Sequence, residues 1–276
     1  MRSVLVLLAL NLFLPSQAYA QLQADLSSPT VRAGALAGTS VLQRPSPGAT
    51  LANPALSGSA SGADIGWRWT GDDATTAWAA FEGAGFVFGL RNQSWSGTSD
   101  LGLTVSRSHS VFGFDVGVGL AMVERTFRGD RDRALYLNAG VAREVSEFRL
   151  AASVLGLDTG TLTGTNSQSR AYLPASAVLL LQGSANSFEV GPLDVILAGR
   201  MHLTEERTSA GGGLEVGYWP VTGRTFRVLV GYGQDPLSGE TGPTWGVSFS
   251  GDTLTLEFAS LNEFGRNTHT LGLRWR

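Results

Sequence analysis

Ten charged side chains share one positional habit. Asp64, Arg68, Asp115, Arg149, Asp194, Arg200, Glu215, Arg227, Glu257 and Arg274 each fall on the face opposite an alternating apolar row. Carboxylates and guanidiniums mixed on one face can pair, because an isolated charge in a confined space is costly. They can also line a polar constriction for ions or solutes. Mixed signs favour pairing, since a selective pore segregates its charge. Other chemistry is sparse. His109, His202 and His269 are too dispersed to suggest a metal site, and the absence of cysteine rules out thiolate ligands and Cys nucleophiles. A Ser/His hydrolase needs an orienting polar group as well, and no motif surrounds the adjacent pair Ser108-His109. No catalytic residue, metal ligand or cofactor is assigned, and enzymatic activity is not expected.

The elements that carry these charges alternate with period two. From Ser110 to Met122, Phe112, Phe114, Val116, Val118, Leu120 and Met122 interleave with Gly113, Asp115, Gly117, Gly119 and Ala121. The small face of a soluble sheet is usually Thr, Lys, Glu or Ser rather than a row of glycines. Large residues outside and tiny or charged residues inside fit a closed transmembrane barrel, with an apolar lipid face and an uncrowded lumen. The 36 glycines show no collagen period and fall largely on that small face.

From Asp64 the alternation continues almost to the C-terminus. It predicts an all-β chain of about fourteen antiparallel strands, each roughly the length a tilted transmembrane strand requires. Ile65, Trp67 and Trp69 face out first, and Leu271, Leu273 and Trp275 last. Residues 171–182 are weaker, because Pro174 interrupts them. Longer connections are expected at one end, including Asn92–Ser99, Glu124–Asp132 and Gly156–Arg170. Short turns are expected at the other, including Arg107–Ser110, Arg143–Glu147 and Pro220–Arg224; Gly183–Pro192 breaks this trend. That asymmetry is typical of bacterial outer-membrane barrels. Trp69, Trp78, Trp219, Tyr232, Trp245 and Trp275 lie near strand ends and suit interface girdles. Arg125, Arg128, Asp130, Arg131, Asp132 and Arg133 read as a solvated outside loop whose arginines are able to meet lipopolysaccharide phosphates.

Residues 1–20 read as a signal peptide: Arg2, an apolar run from Val4 to Leu14, and Ala18-Tyr19-Ala20 before Gln21. Beyond it no apolar segment reaches the ~20 residues of a spanning helix. All 20 Lys+Arg residues are arginine, and the net charge of −3 argues against a nucleic-acid partner. The domain reading is therefore a signal peptide (1–20), an N-terminal plug (21–61) and a transmembrane barrel (62–276).

Residues 21–61 are rich in Ala, Ser, Pro, Gly and Leu and lack the alternation. A barrel of about fourteen strands is too wide for its own side chains to fill, so this segment suits a plug, with a periplasmic tail as the alternative. Arg32-Ala33-Gly34-Ala35-Leu36-Ala37-Gly38-Thr39-Ser40, followed by Asn53-Pro54-Ala55-Leu56, resembles the hatch of the FadL-like outer-membrane proteins. That family includes long-chain fatty-acid transporters and PorV/PorQ-type proteins. Where it usually carries acidic residues, this chain has Gln43-Arg44-Pro45-Ser46-Pro47.

The resemblance implies binding or passage of small hydrophobic molecules, by plug displacement or a lateral gap in the wall. The alternative it offers is a non-conducting, PorV-like accessory protein that binds secreted or surface proteins. Arg32, Asn53, Pro54 and Leu56 are the candidate plug and ligand-contact residues. Expected partners are outer-membrane lipids, a hydrophobic ligand or a secreted protein client, and the barrel insertion machinery. The ending Leu271-Gly272-Leu273-Arg274-Trp275-Arg276 resembles the C-terminal strand signal that such machinery reads, with the aromatic residue penultimate.

Overall fold

The computed structural model describes residues 30–276, apart from 44, 72–73, 96, 128–129, 165–176, 205–206, 222, 235–238 and 264–265. The expected signal peptide lies outside the described residues, as do the first residues of the expected plug.

The wall is a closed antiparallel barrel of fourteen strands with one additional short strand. In chain order the strands are β1 (Ala63–Thr70), β2 (Ala74–Gly83), β3 (Phe86–Trp95), β4 (Thr98–Val111) and β5 (Phe114–Phe127). Next come β6 (Asp130–Val145), β7 (Phe148–Gly164), β8 (Val178–Ala185), β9 (Phe188–Val190) and β10 (Leu193–Leu203). The last are β11 (Thr208–Val221), β12 (Arg224–Gln234), β13 (Thr241–Ser250), β14 (Leu254–Glu263) and β15 (Arg266–Trp275). Each strand pairs with its sequence neighbour, except that β10 pairs with both β8 and β9. Closure comes from β1 on β15, from Ala63 opposite Trp275 to Thr70 opposite Thr268. A closed wall leaves no sheet edge to be satisfied.

Strand parity decides the burial. Trp67, Phe88, Leu103, Val118, Leu150, Leu197, Val230, Phe249 and Leu271 point outward and are exposed. An apolar surface this continuous is a liability in water and has the form a transmembrane barrel presents to lipid. The opposite parity is buried, and what covers it is the segment 30–61. This segment forms a short helix, α1 (Val31–Ala35), and two 3₁₀ turns, Pro47–Leu51 and Pro54–Gly58. Thr30 caps α1 by accepting from the Ala33 amide at 3.2 Å. Asn53 caps the second 3₁₀ turn by accepting from the Ala55 amide at 2.9 Å, with Pro54 at its first position, where no donor is lost.

Several expectations are corrected. Ser110–Met122 is not one strand: β4 ends at Val111, and Phe112-Gly113 turns the chain into β5. Both residues have positive φ (52° and 77°), as do Ala84-Gly85 (55° and 76°) between β2 and β3. Positive φ at both central residues is the type I′ turn that suits the twist of a hairpin. Arg107–Ser110, expected as a turn, lies inside β4. A two-residue turn preserves the alternation, so the pattern ran through it unmarked.

At the far end, Asn92–Ser99 and Glu124–Asp132 are mostly strand: β3 runs to Trp95 and β4 starts at Thr98, and β5 runs to Phe127 and β6 starts at Asp130. The length lies in β4 to β7, which exceed what a bilayer requires, and strand rising above lipid needs no apolar face. Gly183–Pro192 is not a long loop either: β8 continues to Ala185, and β9 folds back on β10 with Glu189 opposite Asp194. Trp78 does not join a girdle; it points inward, buried against Gly66. Arg125 and Asp132 are buried rather than in a solvated loop.

Candidate functional site

The candidate site is the lumen, where residues 30–61 meet the wall. α1 packs against β12, β13, β14 and β15, the first 3₁₀ turn against β1 to β4, and the second against β3 to β7. Together with the contacts of Ala37, Leu42 and Gln43 described below, the segment touches the wall almost all the way round.

The charged residues form the anchors. Arg32 clamps Glu215 on β11 with both forks of its guanidinium, Nε to Oε2 at 2.6 Å and NH2 to Oε1 at 2.5 Å. Arg227 on β12 donates to the same Oε1 at 2.7 Å and to both oxygens of Asp194 on β10 at 3.1 Å. The result is an alternating chain, Arg32–Glu215–Arg227–Asp194, with Glu215 fully buried. Burial opposes the charge on Arg32, but the charge and hydrogen bonds of Glu215 outweigh it and raise the Arg32 pKa above its ordinary value. Arg32 is therefore held as a cation.

A second anchor lies at Arg149 on β7. It donates to the Leu42 carbonyl at 2.9 Å and to Asp115 on β5 at 2.7 Å. Arg200 on β10 donates to the Ala37 carbonyl at 2.5 Å. Arg274 pairs with Glu257 at 3.1 Å between neighbouring strands. Asp64 sits opposite Arg274 in the β1–β15 register and receives hydrogen bonds from Ser46 and the Gly48 amide. Arg68 is buried on the same face.

Neutral groups complete the attachment. Thr244 on β13 accepts from the Ala37 amide at 3.1 Å and donates to the Ala35 carbonyl at 2.7 Å. Ser184 on β8 accepts from the Leu42 amide at 3.0 Å, and its carbonyl accepts from Gln43 Nε2 at 2.7 Å. Gln43, which stands where the resembling family is acidic, thus ties the segment to β8. Ser153 on β7 donates to the Ala52 carbonyl at 2.7 Å, and Asn53 Nδ2 reaches the Ala152 carbonyl at 3.4 Å. Ser108 on β4 accepts from the Gly58 amide at 2.6 Å.

The apolar contacts form two patches. Val31, Ala35, Leu36 and Val41 pack with Trp78, Ile196, Leu229 and Ala259 of the wall. Leu42, Ala49, Ala55 and Leu56 pack with Ala142 and Ala151. Glycines permit the approach. A Cβ on Gly117 would fall on the Pro54 carbonyl group, and one on Gly140 on the Asn53 side chain. One on Gly213 would sit 2.7 Å from Leu36. The glycine row on β5 is where the backbone of Pro54-Ala55 lies against the wall.

All four candidate segment residues lie in this interface: Arg32 in the ion-pair chain, Asn53 and Pro54 against the glycine face, and Leu56 fully buried. All ten charges on the interior parity face the lumen. Sequence reasoning missed Arg91 and Asp100 and placed Arg125 and Asp132 in an outside loop; all four are buried on the same face. Arg125 clamps Asp100 at 2.8 and 2.7 Å with its guanidinium 5.3 Å from the Trp95 ring. Their parity against Leu90 and Leu101 carried the signal. Nothing in the sequence singled out Thr244, Ser184 or Ser153 among many small hydroxyls. His109 faces outward from β4, His202 is buried in the lumen wall, and His269 lies against Trp69 and Phe258. The geometry holds a peptide segment in place.

A fourteen-stranded barrel with an apolar belt and a lumen occupied by its own N-terminal segment defines the class. No family model matches the chain, and no curated protein matches it. Solved structures do. The toluene transporter TbuX of Ralstonia pickettii is 14% identical with a TM-score of 0.58, over 91% of this chain and 99% of that one. The toluene transporter TodX of Pseudomonas putida is 11% identical with a TM-score of 0.55, over 94% and 98%. A FadL homologue of Pseudomonas aeruginosa is 12% identical with a TM-score of 0.51, over 95% and 99%. The chain shares the fold of these proteins.

Proposed function

We propose that the protein is an outer-membrane barrel for the binding or passage of small hydrophobic molecules, with residues 30–61 as its plug. The observation that carries this reading is the seating of that segment. It spans the lumen on discrete polar anchors, so a solute must displace it or leave through the wall. An irregularity in the wall suits the second route. The β6–β7 ladder shifts register between Arg133 and Ala134, Leu135 and Tyr136, and Leu137 and Ala139. The fold shared with two toluene transporters supports a hydrocarbon as the class of solute. The end with short turns, where both ends of the barrel sequence lie, faces the periplasm.

The salt-bridged character of the lumen favours one second reading, a non-conducting accessory barrel, because the chain from Arg32 to Asp194 secures the segment firmly. Uptake separates the two. Labelled toluene at low concentration is supplied to Gram-negative cells lacking their own hydrocarbon channels, with and without this protein. Faster uptake supports passage. Unchanged uptake, with the folded barrel present in the outer membrane, overturns it in favour of the accessory reading.

A further inference from the structure

On the outer face of β4 to β6, near the short-turn end, three basic side chains interrupt the apolar surface: Arg107 and His109 on β4 and Arg143 on β6. All are exposed. The Arg107 guanidinium lies over the Phe86 ring at 4.9 Å from its centroid, and that of Arg143 over Phe114 at 4.5 Å. Neither makes a hydrogen bond or ion pair among the described residues. The strands here pair in direct succession, with His109 opposite Val116 and Val116 opposite Val141. Arg107 lies opposite Val118 and Arg143 next to Phe114, so the two guanidiniums flank His109 along a band of outer surface.

The acidic groups nearby face elsewhere. Glu82, Asp115 and Glu144 have the interior parity, Asp115 being taken by Arg149. Glu147, in the β6–β7 turn, accepts from Asn186 at 3.3 Å. The outer patch is thus a field of one sign. Beside it Phe88, Val116 and Val118 are exposed and apolar. A guanidinium flat on an aromatic ring keeps its N–H edge free, and that edge matches a phosphate with two parallel hydrogen bonds.

We infer that Arg107 and Arg143, with His109 between them, seat the phosphate headgroups of anionic phospholipids in the periplasmic leaflet. Their acyl chains lie along Phe88, Val116 and Val118. This inference rests on the membrane-spanning reading of the barrel. Lipid phosphate is favoured over a soluble anion because the patch is continuous with the apolar belt. A basic residue near an anionic lipid surface contributes about a fivefold preference, so the pair of arginines gives about 25-fold.

The test reconstitutes the protein into bilayers of equimolar phosphatidylglycerol and phosphatidylethanolamine, re-extracts it in mild detergent, and counts retained lipids by native mass spectrometry. The wild type retains phosphatidylglycerol preferentially. Arg107→Gln with Arg143→Gln loses most of that preference, and Arg107→Lys with Arg143→Lys keeps part of it. Heat-dependent gel migration verifies that each variant is a folded barrel. Equal headgroup selectivity in the wild type and the glutamine variant overturns the seat while leaving the barrel reading intact. Failure of the wild type to insert into the bilayers overturns the membrane reading itself.

Discussion

The contact between Arg32 and Glu215 gives the sharpest expectation. Arg32→Gln removes two charge-assisted hydrogen bonds of 2.6 and 2.5 Å from a carboxylate with no solvent exposure. Breaking a buried pair costs about 3–5 kcal/mol when the partner is left uncompensated. Here Glu215 keeps Arg227 at 2.7 Å, so the lower end applies, about 3 kcal/mol or roughly 150-fold in an opening equilibrium. The loss falls on the seating of α1, because the wall strands retain their ladder. Hydrogen exchange in detergent or bilayer reads this directly. The Gly34, Leu36 and Gly38 amides bond within the segment and exchange when α1 leaves its site. Their protection is expected to fall by about two orders of magnitude in Arg32→Gln. The doubly substituted Arg32→Gln, Glu215→Gln protein should recover part of it, since both charges are then gone. Protection in Arg32→Gln within threefold of wild type would refute the argument that this pair holds the segment.

Further expectations follow from the same geometry. Gly117→Ala forces its Cβ onto the Pro54 carbonyl and should cost ~1–3 kcal/mol in urea unfolding. Gly251→Ala, whose Cβ meets nothing nearer than 3.7 Å, should lie within ~0.5 kcal/mol of wild type. Arg149→Ala removes the bonds to Leu42 and Asp115, so exchange should rise over residues 42–59 before it rises in α1. Val118→Arg places a charge in the outward belt at a position 57% exposed. It should cost ~2–4 kcal/mol in unfolding from bilayers if that position is near mid-membrane, and little if the belt faces water.

What the sequence reveals and what it hides divide along physical lines. Parity was legible because lipid outside and a crowded lumen inside impose opposite chemistries on alternate residues. The charge face from Asp64 to Arg274 and the glycine row at 117 and 119 both follow from that. Turn positions were not legible. Phe112 holds a left-handed turn conformation that its residue type does not advertise, and a two-residue turn leaves the alternation unbroken. Strand ends at the far side were hidden for another reason. Above the lipid, stretches such as Glu124–Phe127 pair as strand while reading as polar loop. Trp78 was misplaced because an aromatic near a strand end suits either face; its parity with Ala80, which is also buried, was the better guide. In the segment itself, Arg32, Asn53 and Leu56 stood out by type. Their partners Thr244, Ser184 and Ser153 are ordinary hydroxyls whose role comes only from tertiary placement.

The central claim is that residues 30–61 close the lumen and must yield for a solute to pass along it. The chain contains no native cysteine, so a lock is clean to build. A Cβ on Gly211 of β11 would lie 3.3 Å from the Cβ of Ala37 and 2.7 Å from the Ala37 carbonyl oxygen, so the segment backbone must shift slightly to reach the ~3.5–4.5 Å a disulfide spans. The decisive measurement is toluene uptake by cells carrying Ala37→Cys, Gly211→Cys, oxidised and then reduced. The account predicts disulfide formation, uptake abolished when oxidised, and uptake restored on reduction. A disulfide that forms fully yet leaves uptake unchanged would contradict it.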